Sequence, residues 1–304
     1  MFTIHQAPVI QEIIPSVNPK NVRLFIKRED LLHPVISGNK WRKLKYNLIA
    51  AKDSGETTLL TFGGAYSNHI HAVAGAASEY GFKSIGIIRG EAHLPLNPTL
   101  MAAQEMGMQL HYMDRTTYRQ KQSTQVIKFL EDKFGKYYLI PEGGTNLFAL
   151  KGAAEIVQGI ENAYDYFCAA CGTGGTVSGI ISALDNQTRV IGYAVVKGEF
   201  HQEAVGNWLS AMGKPNLSNW QINTNYHFGG YAKFDEKLID FINIFKKEHD
   251  IRLDPIYTGK LLYGVFAQIA NGKFPEKSRV LAIHTGGLQG IKGFNLRFNN
   301  LINV

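Results

Sequence analysis

Lys40 is the residue whose setting points most directly to chemistry. It stands in Ser37-Gly38-Asn39-Lys40-Trp41-Arg42-Lys43-Leu44, after a strand-like run at 22–27 and before a helical pattern marked by Trp41, Leu44, Leu48 and Ile49. The spacing puts Lys40 at a loop-to-helix junction. Free N–H groups and the dipole of a helix N-terminus disfavour a cation, which biases an amine there toward its neutral form. A neutral lysine is a nucleophile that forms Schiff bases with carbonyl compounds. The same segment carries Arg42, Lys43 and Lys45, so a solvated basic face is the alternative reading.

Glycine-rich turns follow predicted strands at Gly63-Gly64, Gly143-Gly144, Gly172 to Gly175 and Gly286-Gly287. In an open parallel sheet, ligands bind at the carboxyl ends of strands, so four such turns can converge on one crevice. Gly172-Thr173-Gly174-Gly175-Thr176 is the sharpest of them. Its glycines let the backbone close on an anion, and its threonine hydroxyls add donors. No Gly-Lys-Ser/Thr follows, and the third glycine of a dinucleotide fingerprint is missing, so a monophosphate is favoured over a dinucleotide. A tight turn without a ligand remains the alternative. Ser67-Asn68-His69 opens a helix and offers hydroxyl, amide and backbone donors to a carboxylate, or acts as a plain N-cap. Tyr257, in Asp254-Pro255-Ile256-Tyr257-Thr258-Gly259-Lys260, either projects into the crevice or packs.

Strands and helices must alternate to position these turns. Strands are expected at 58–62, 84–88, 109–112, 137–140, 166–170, 189–196 and 279–283. Helices are expected at 68–80, 99–106, 116–133, 150–160, 203–212, 234–248 and 262–270. This order predicts an α/β fold with parallel sheets flanked by helices. The length of 304 residues suits two lobes. The expected division is a large lobe of residues 1–47 and 152–304 and a small lobe of residues 48–151.

Composition narrows the function. Hydrophobic residues make up 45% and charged residues 19%, which suits a globular protein with a sizeable core. The net charge of +7 is spread along the chain, which argues against nucleic-acid binding and for an enzyme of anionic substrates or cofactors. Cys168 and Cys171 are the only cysteines; they are too few for a zinc site and read as small buried fillers. No metal is expected. No disulfide framework, no signal peptide in the stretch from Met1 to Gln6 and no membrane span together favour a cytoplasmic setting.

Six motifs occur together and in order: Gly38-Asn39-Lys40-x-Arg42-Lys43-Leu44, Ser67-Asn68-His69, Pro141-Glu142-Gly143-Gly144, Gly172 to Thr176, Asp254-Pro255-x-Tyr257-Thr258-Gly259-Lys260, and His284-Thr285-Gly286-Gly287. From about Phe25 to Gly287 the chain resembles the pyridoxal-phosphate-dependent family of 1-aminocyclopropane-1-carboxylate deaminase and D-cysteine desulfhydrase. That resemblance implies the two-lobed fold type II, similar to tryptophan synthase β, and a homodimer. It implies that Lys40 holds pyridoxal 5'-phosphate and later moves the Cα proton. Asn68 would bond the pyridoxal 3-oxygen, Gly172, Thr173, Gly174, Gly175 and Thr176 the phosphate, and Thr285 would face the pyridine nitrogen. Ser67 and its neighbours Tyr66, Asn68 and His69, with Gly144, would meet the substrate. Tyr257 and Tyr231 match the family's two active-site tyrosines.

The resemblance also bears on which reaction is run. In the deaminases the residue after the D-P-x-Y tyrosine is typically Glu, and the H-T-G-G threonine is typically Leu. The carboxylate keeps the pyridine nitrogen protonated and makes a strong electron sink. Thr258 and Thr285 stand at these positions here. A neutral hydroxyl gives a weaker sink, which suffices for β-elimination because that reaction expels its own leaving group. The expected activity is D-cysteine desulfhydrase-like: D-cysteine to hydrosulfide, pyruvate and ammonia. The alternatives are 1-aminocyclopropane-1-carboxylate deamination, another D-amino-acid lyase or dehydratase, and a cofactor-binding protein without efficient turnover. A nicotinamide dehydrogenase is disfavoured by the missing fingerprint. Three departures mark this chain. Tyr66 replaces the family's Gln, Ala232 follows Tyr231 in place of Gly, and Leu288-Gln289-Gly290-Ile291 replaces an A-P-A-L run.

Overall fold

The computed structural model describes residues 4–303; the first three residues of the stretch read above for a leader lie outside them. Two sheets organise the chain. The larger uses β1 (Ile10–Ile13), β2 (Arg23–Lys27), β7 (Tyr166–Cys171), β8 (Arg189–Ala194), β9 (Trp220–Asn223) and β10 (Arg279–Ile283), in the order β1-β2-β10-β7-β8-β9. All its neighbours are parallel except β1, which pairs antiparallel with β2 at one edge. The smaller sheet is parallel throughout, with β3 (Thr58–Gly63), β4 (Lys83–Arg89), β5 (Met108–Met113) and β6 (Tyr138–Ile140) in the order β5-β4-β3-β6.

Period-two patterning places the cores. In the larger sheet Leu24, Ile26, Cys168, Ala170, Ile191, Val280 and Ala282 face one core. Phe25, Phe167, Ala169, Cys171, Val190, Leu281 and Ile283 face the other. Both faces are covered, so the strands read as continuous apolar runs. Cys168 and Cys171 therefore sit on opposite faces. Both are free and buried, and burial pushes each thiol up to about 12, which suits fillers and not nucleophiles.

Most expected elements form, and the differences have local causes. The helix expected over 116–133 is two helices, α4 (Arg115–Arg119) and α5 (Thr124–Phe134). Asp114 and Ser123 each cap one by accepting backbone N–H bonds, and the second cap restarts the chain. The helix expected at 150–160 is α6 (Leu147–Ala154), which begins three residues earlier because Asn146 accepts from the Ala149 N–H. The edge strands β1 and β9 and the helix α11 (Gly290–Arg297) were not expected. The edge strands are four residues each, too short for a clear alternation.

Three helices fix the distances that matter. α1 (Asn39–Asp53) packs on α6, and α6 packs on α7 (Gly175–Ser182). A Cβ on Gly152 of α6 would lie 1.9 Å from the Arg42 carbonyl oxygen of α1. A Cβ on Gly179 of α7 would lie 2.5 Å from the Ala153 Cβ and 2.7 Å from the Leu150 oxygen of α6. Glycine is required at both crossings because backbone meets backbone there. Gly206, in the helix α8 (Phe200–Ala211), has open space where its Cβ would be. Gly152→Ala is therefore expected to lower the urea midpoint, by about 3 kcal/mol of stability from overpacking. Gly206→Ala is expected to raise it by about 0.5–1 kcal/mol through helix propensity. Equal effects would contradict the packing account.

Candidate active site

The start of α1 is sewn to the turn after β10. Gly38 precedes the helix with φ +64°, and a Cβ there would lie 2.0 Å from the Thr285 oxygen. The Asn39 N–H donates to that same oxygen at 3.2 Å, and the Ser37 hydroxyl donates to the Asp30 carbonyl at 3.0 Å. Lys40, the second residue of α1, thus enters a cavity of about 1100 Å³ also lined by Ser67, Asn68, Thr173, Tyr257 and Thr285.

Two lysines share its floor. Lys40 Nζ donates to the Gly143 carbonyl at 3.3 Å. Lys43, one turn on, donates to the same carbonyl at 2.6 Å and to Thr145 Oγ1 at 2.8 Å. Burial lowers the Lys40 amine to about 8. Burial, and then the Lys40 charge, push Lys43 down as well. The shift of Lys40 was expected from the helix N-terminus; its cause is desolvation instead. Two ammonium groups on one carbonyl disfavour each other. Burial loosens the protons of both, Lys43 the more. Lys43 is tied by two short hydrogen bonds and Lys40 by one long one, so Lys40 is the amine free to swing onto an aldehyde.

The glycine turn lies between β7 and α7, with Gly174 at φ +82°. Thr173 Oγ1 is 3.0 Å from Thr145 Oγ1, which links the turn to Lys43. Thr176 Oγ1 accepts from Asn39 Nδ2 at 2.9 Å, leaving its proton free to donate. A helix N-terminus, three threonine hydroxyls and the Lys43 amine make a donor set for a phosphate beside the Lys40 amine. Pyridoxal phosphate, with its aldehyde and phosphate, fits this pairing. Lys43 and Thr145 were missed by sequence reasoning. Lys43 stands at i+3 from Lys40 on the same helix face, which is a usable signal. Thr145 follows a glycine pair and carries none.

Ser67 caps α2 (Asn68–Tyr80), accepting from the His69 and Ile70 N–H groups at 3.2 and 3.3 Å. The cap and the cavity-lining position coincide, so the two readings of Ser67 are compatible. His69 is buried; its Nε2 is 2.8 Å from Thr61 Oγ1, which itself donates to the Ile140 carbonyl. Burial and then the two lysines hold the ring well below the ordinary histidine range, hence neutral. Gly144 packs on that ring, with its Cβ position 2.8 Å from His69 Cε1, while its neighbour Gly143 lines the cavity. Gly144 was expected at the substrate; it lies behind the wall instead, against the His69 ring and outside the cavity lining. Tyr66 lays its ring on Gly293 of α11, 2.9 Å from the Cβ position, at the cavity mouth.

Asp254 organises the tyrosines. Its buried carboxylate accepts from the N–H groups of Ile256, Tyr257 and Thr258, each at 2.9 Å, and from the Thr258 hydroxyl at 2.8 Å. Thr258 is thereby buried and consumed, away from the cavity. Thr285 lines the cavity. Lys260, in α10 (Thr258–Ala270), donates to the carbonyls of Val195, His227 and Gly230, fixing the turn that carries Tyr231. The Tyr231 and Tyr257 rings meet edge to face at 6.2 Å. Burial, then Tyr231, push the Tyr257 phenol well above its ordinary value, so it keeps its proton.

Outside the cavity, His5 and His33 approach Glu79 at 3.3 and 2.6 Å. His33 Nδ1 accepts from the Val35 and Ile36 N–H groups, so its proton sits on Nε2, which suits a hydrogen bond to Glu79 and not a metal.

The Lys40 amine sets a pH dependence. An amine must be neutral to attack an aldehyde. Uptake of pyridoxal phosphate by the cofactor-free protein, followed by its visible absorbance, is expected to speed up as pH rises through about 8. A rate independent of pH between 6 and 9 would contradict a lysine of lowered basicity.

Residues 4–286 match the protein family described as pyridoxal-phosphate dependent enzyme. A Pyrococcus furiosus protein named "Putative 1-aminocyclopropane-1-carboxylate deaminase" is 33% identical over 88% of this chain and 85% of its own. An Arabidopsis thaliana protein named bifunctional D-cysteine desulfhydrase/1-aminocyclopropane-1-carboxylate deaminase is 30% identical over 93% of this chain and 77% of its own. A crystal structure of an ACC deaminase homologue superposes with a TM-score of 0.82 at 28% identity, covering 98% of this chain and 95% of that one. With the lysine, the phosphate turn and the fold in agreement with these matches, the chain belongs to the pyridoxal-phosphate-dependent enzymes, within the 1-aminocyclopropane-1-carboxylate deaminase and D-cysteine desulfhydrase family.

Proposed function

We propose that the protein eliminates the β-substituent of a small D-amino acid, with D-cysteine as substrate and hydrosulfide, pyruvate and ammonia as products. The observation that carries this reading is Thr285. It places a neutral hydroxyl on the cavity wall, and Thr258, the other position where a carboxylate would matter, is turned into Asp254. Elimination of a good leaving group suits that wall better than opening a cyclopropane ring does. The name of the Arabidopsis relative pairs both activities on one scaffold, which supports keeping deamination as the competing reading.

Each residue has a task in this reading. When bound, pyridoxal phosphate supplies a sink for the electron pair left at Cα. Lys40 holds the cofactor and its Nζ removes the Cα proton. Lys43, Thr173 and Thr176 hold the phosphate. Ser67 and the N-terminus of α2 receive the substrate carboxylate. Tyr257 keeps a proton on its phenol and delivers it to the departing sulfur. Tyr231 packs on Tyr257 and orients it.

Two measurements test the reading. With D-cysteine, pyruvate and sulfide are expected to form faster than 2-oxobutanoate forms from 1-aminocyclopropane-1-carboxylate; the reverse ratio would replace desulfhydration by deamination. Tyr257→Phe is expected to lower turnover about 100-fold while the cofactor stays bound, as loss of a general acid does. Unchanged turnover would remove Tyr257 from proton transfer.

A further inference from the structure

The segment that replaces the family's A-P-A-L run makes contacts that no motif assigns. Gln289 precedes α11 and reaches across to the other side of the cavity mouth. Its Nε2 donates to Asn68 Oδ1 at the start of α2. Its Oε1 accepts from the Thr99 hydroxyl at 3.2 Å, in α3 (Pro98–Glu105). Gly290 lies against Asn68 Oδ1, which is 3.5 Å from its Cβ position. On the next turn of α11, Gly293 receives the Tyr66 ring.

These contacts decide which way the Asn68 carboxamide faces. A carboxamide has one acceptor end and one donor end. Gln289 engages the acceptor end. The donor end, Nδ2, is left beside the Thr285-Gly286-Gly287 turn, 3.3 Å from the Gly287 Cβ position. An anionic oxygen on the cofactor needs a donor there; an Asn68 turned the other way would present an oxygen and repel it.

We propose that Gln289 is a positioning residue, which holds the Asn68 carboxamide with its N–H₂ toward the 3-oxygen of bound pyridoxal phosphate. The proposal rests on Asn68 being the partner of that oxygen. A donor at the 3-oxygen stabilises its negative charge and so makes the nitrogen that joins the cofactor to Lys40 less basic. Gln289→Glu offers only acceptors and draws the Asn68 N–H₂ away from the cofactor. Gln289→Leu leaves the carboxamide free to turn.

The test is a pH titration of the visible band of the holoenzyme, with cofactor affinity measured by equilibrium dialysis. Asn68→Ala is expected to raise the titration midpoint by about one pH unit, the scale of a lost charge-assisted hydrogen bond. Gln289→Glu is expected to raise it as far or further, and Gln289→Leu by less, with cofactor affinity falling in the same order. A midpoint that moves in Asn68→Ala but stays put in Gln289→Glu would overturn the role of Gln289 alone. A midpoint unmoved in Asn68→Ala would overturn the role of Asn68 and the proposal with it, leaving the β-elimination reading untouched.

Discussion

The site depends on backbone meeting backbone. At Gly38 the chain passes so close to Thr285 that no side chain fits, and at Gly152 and Gly179 three helices touch with the same intimacy. The first contact ties Lys40 to the turn that carries Thr285. The other two set the distance from Lys40 on α1 to the glycine turn that opens α7. Carbonyl and Cα atoms at van der Waals contact cannot drift as side chains do, so the amine and the phosphate-binding turn are held on a rigid frame. Glycine at these three places is a geometric requirement of the chemistry, whereas Gly206 answers to none.

Buried charge reinforces the frame. Glu29 is fully buried and accepts from Lys27 at 2.7 Å and from Arg42 at 2.9 and 3.2 Å. Arg42 lies in α1, two residues after Lys40, so the pair pins the lysine helix to β2. Leaving two such cations without their carboxylate is far costlier than never burying the group. Asp254 does the same for the tyrosines, with both oxygens occupied by the turn that presents Tyr257. The charges kept inside this molecule are spent on position. Lys40 and Lys43 have no carboxylate partner among the described residues, and burial loosens the protons of both.

Much of this was legible in the sequence because chemistry and secondary structure share their signals here. Glycine pairs after apolar runs mark strand ends, and strand ends are where a parallel sheet binds ligands. The alternation of strands and helices, the Lys40 junction and the phosphate turn follow from that. The cause of the Lys40 shift was misassigned, because burial depends on β6 and the Gly143 turn, about a hundred residues away. Gly144 was placed at the substrate for a similar reason: its contact is with the His69 ring on another element, which a glycine pair does not reveal. Thr145 and Gln289 were invisible as functional residues. Each acts through two long-range hydrogen bonds, and no local pattern encodes a partner on another element. The break at Ser123 was readable as a cap but was outweighed by a continuous helical pattern on both sides.

The central claim is that Lys40, and not Lys43 three residues on, is the amine that takes the cofactor. Both line the cavity, both touch the Gly143 carbonyl, and the assignment rests on Lys43 being held by two short acceptors and Lys40 by one long one. Reduction of the holoenzyme with borohydride would fix the cofactor to its lysine, and mass spectrometry of the resulting peptides would locate it. The account predicts the label on Lys40. A label on Lys43 would contradict it, since the lysine assigned to the phosphate would then be the one that carries the chemistry.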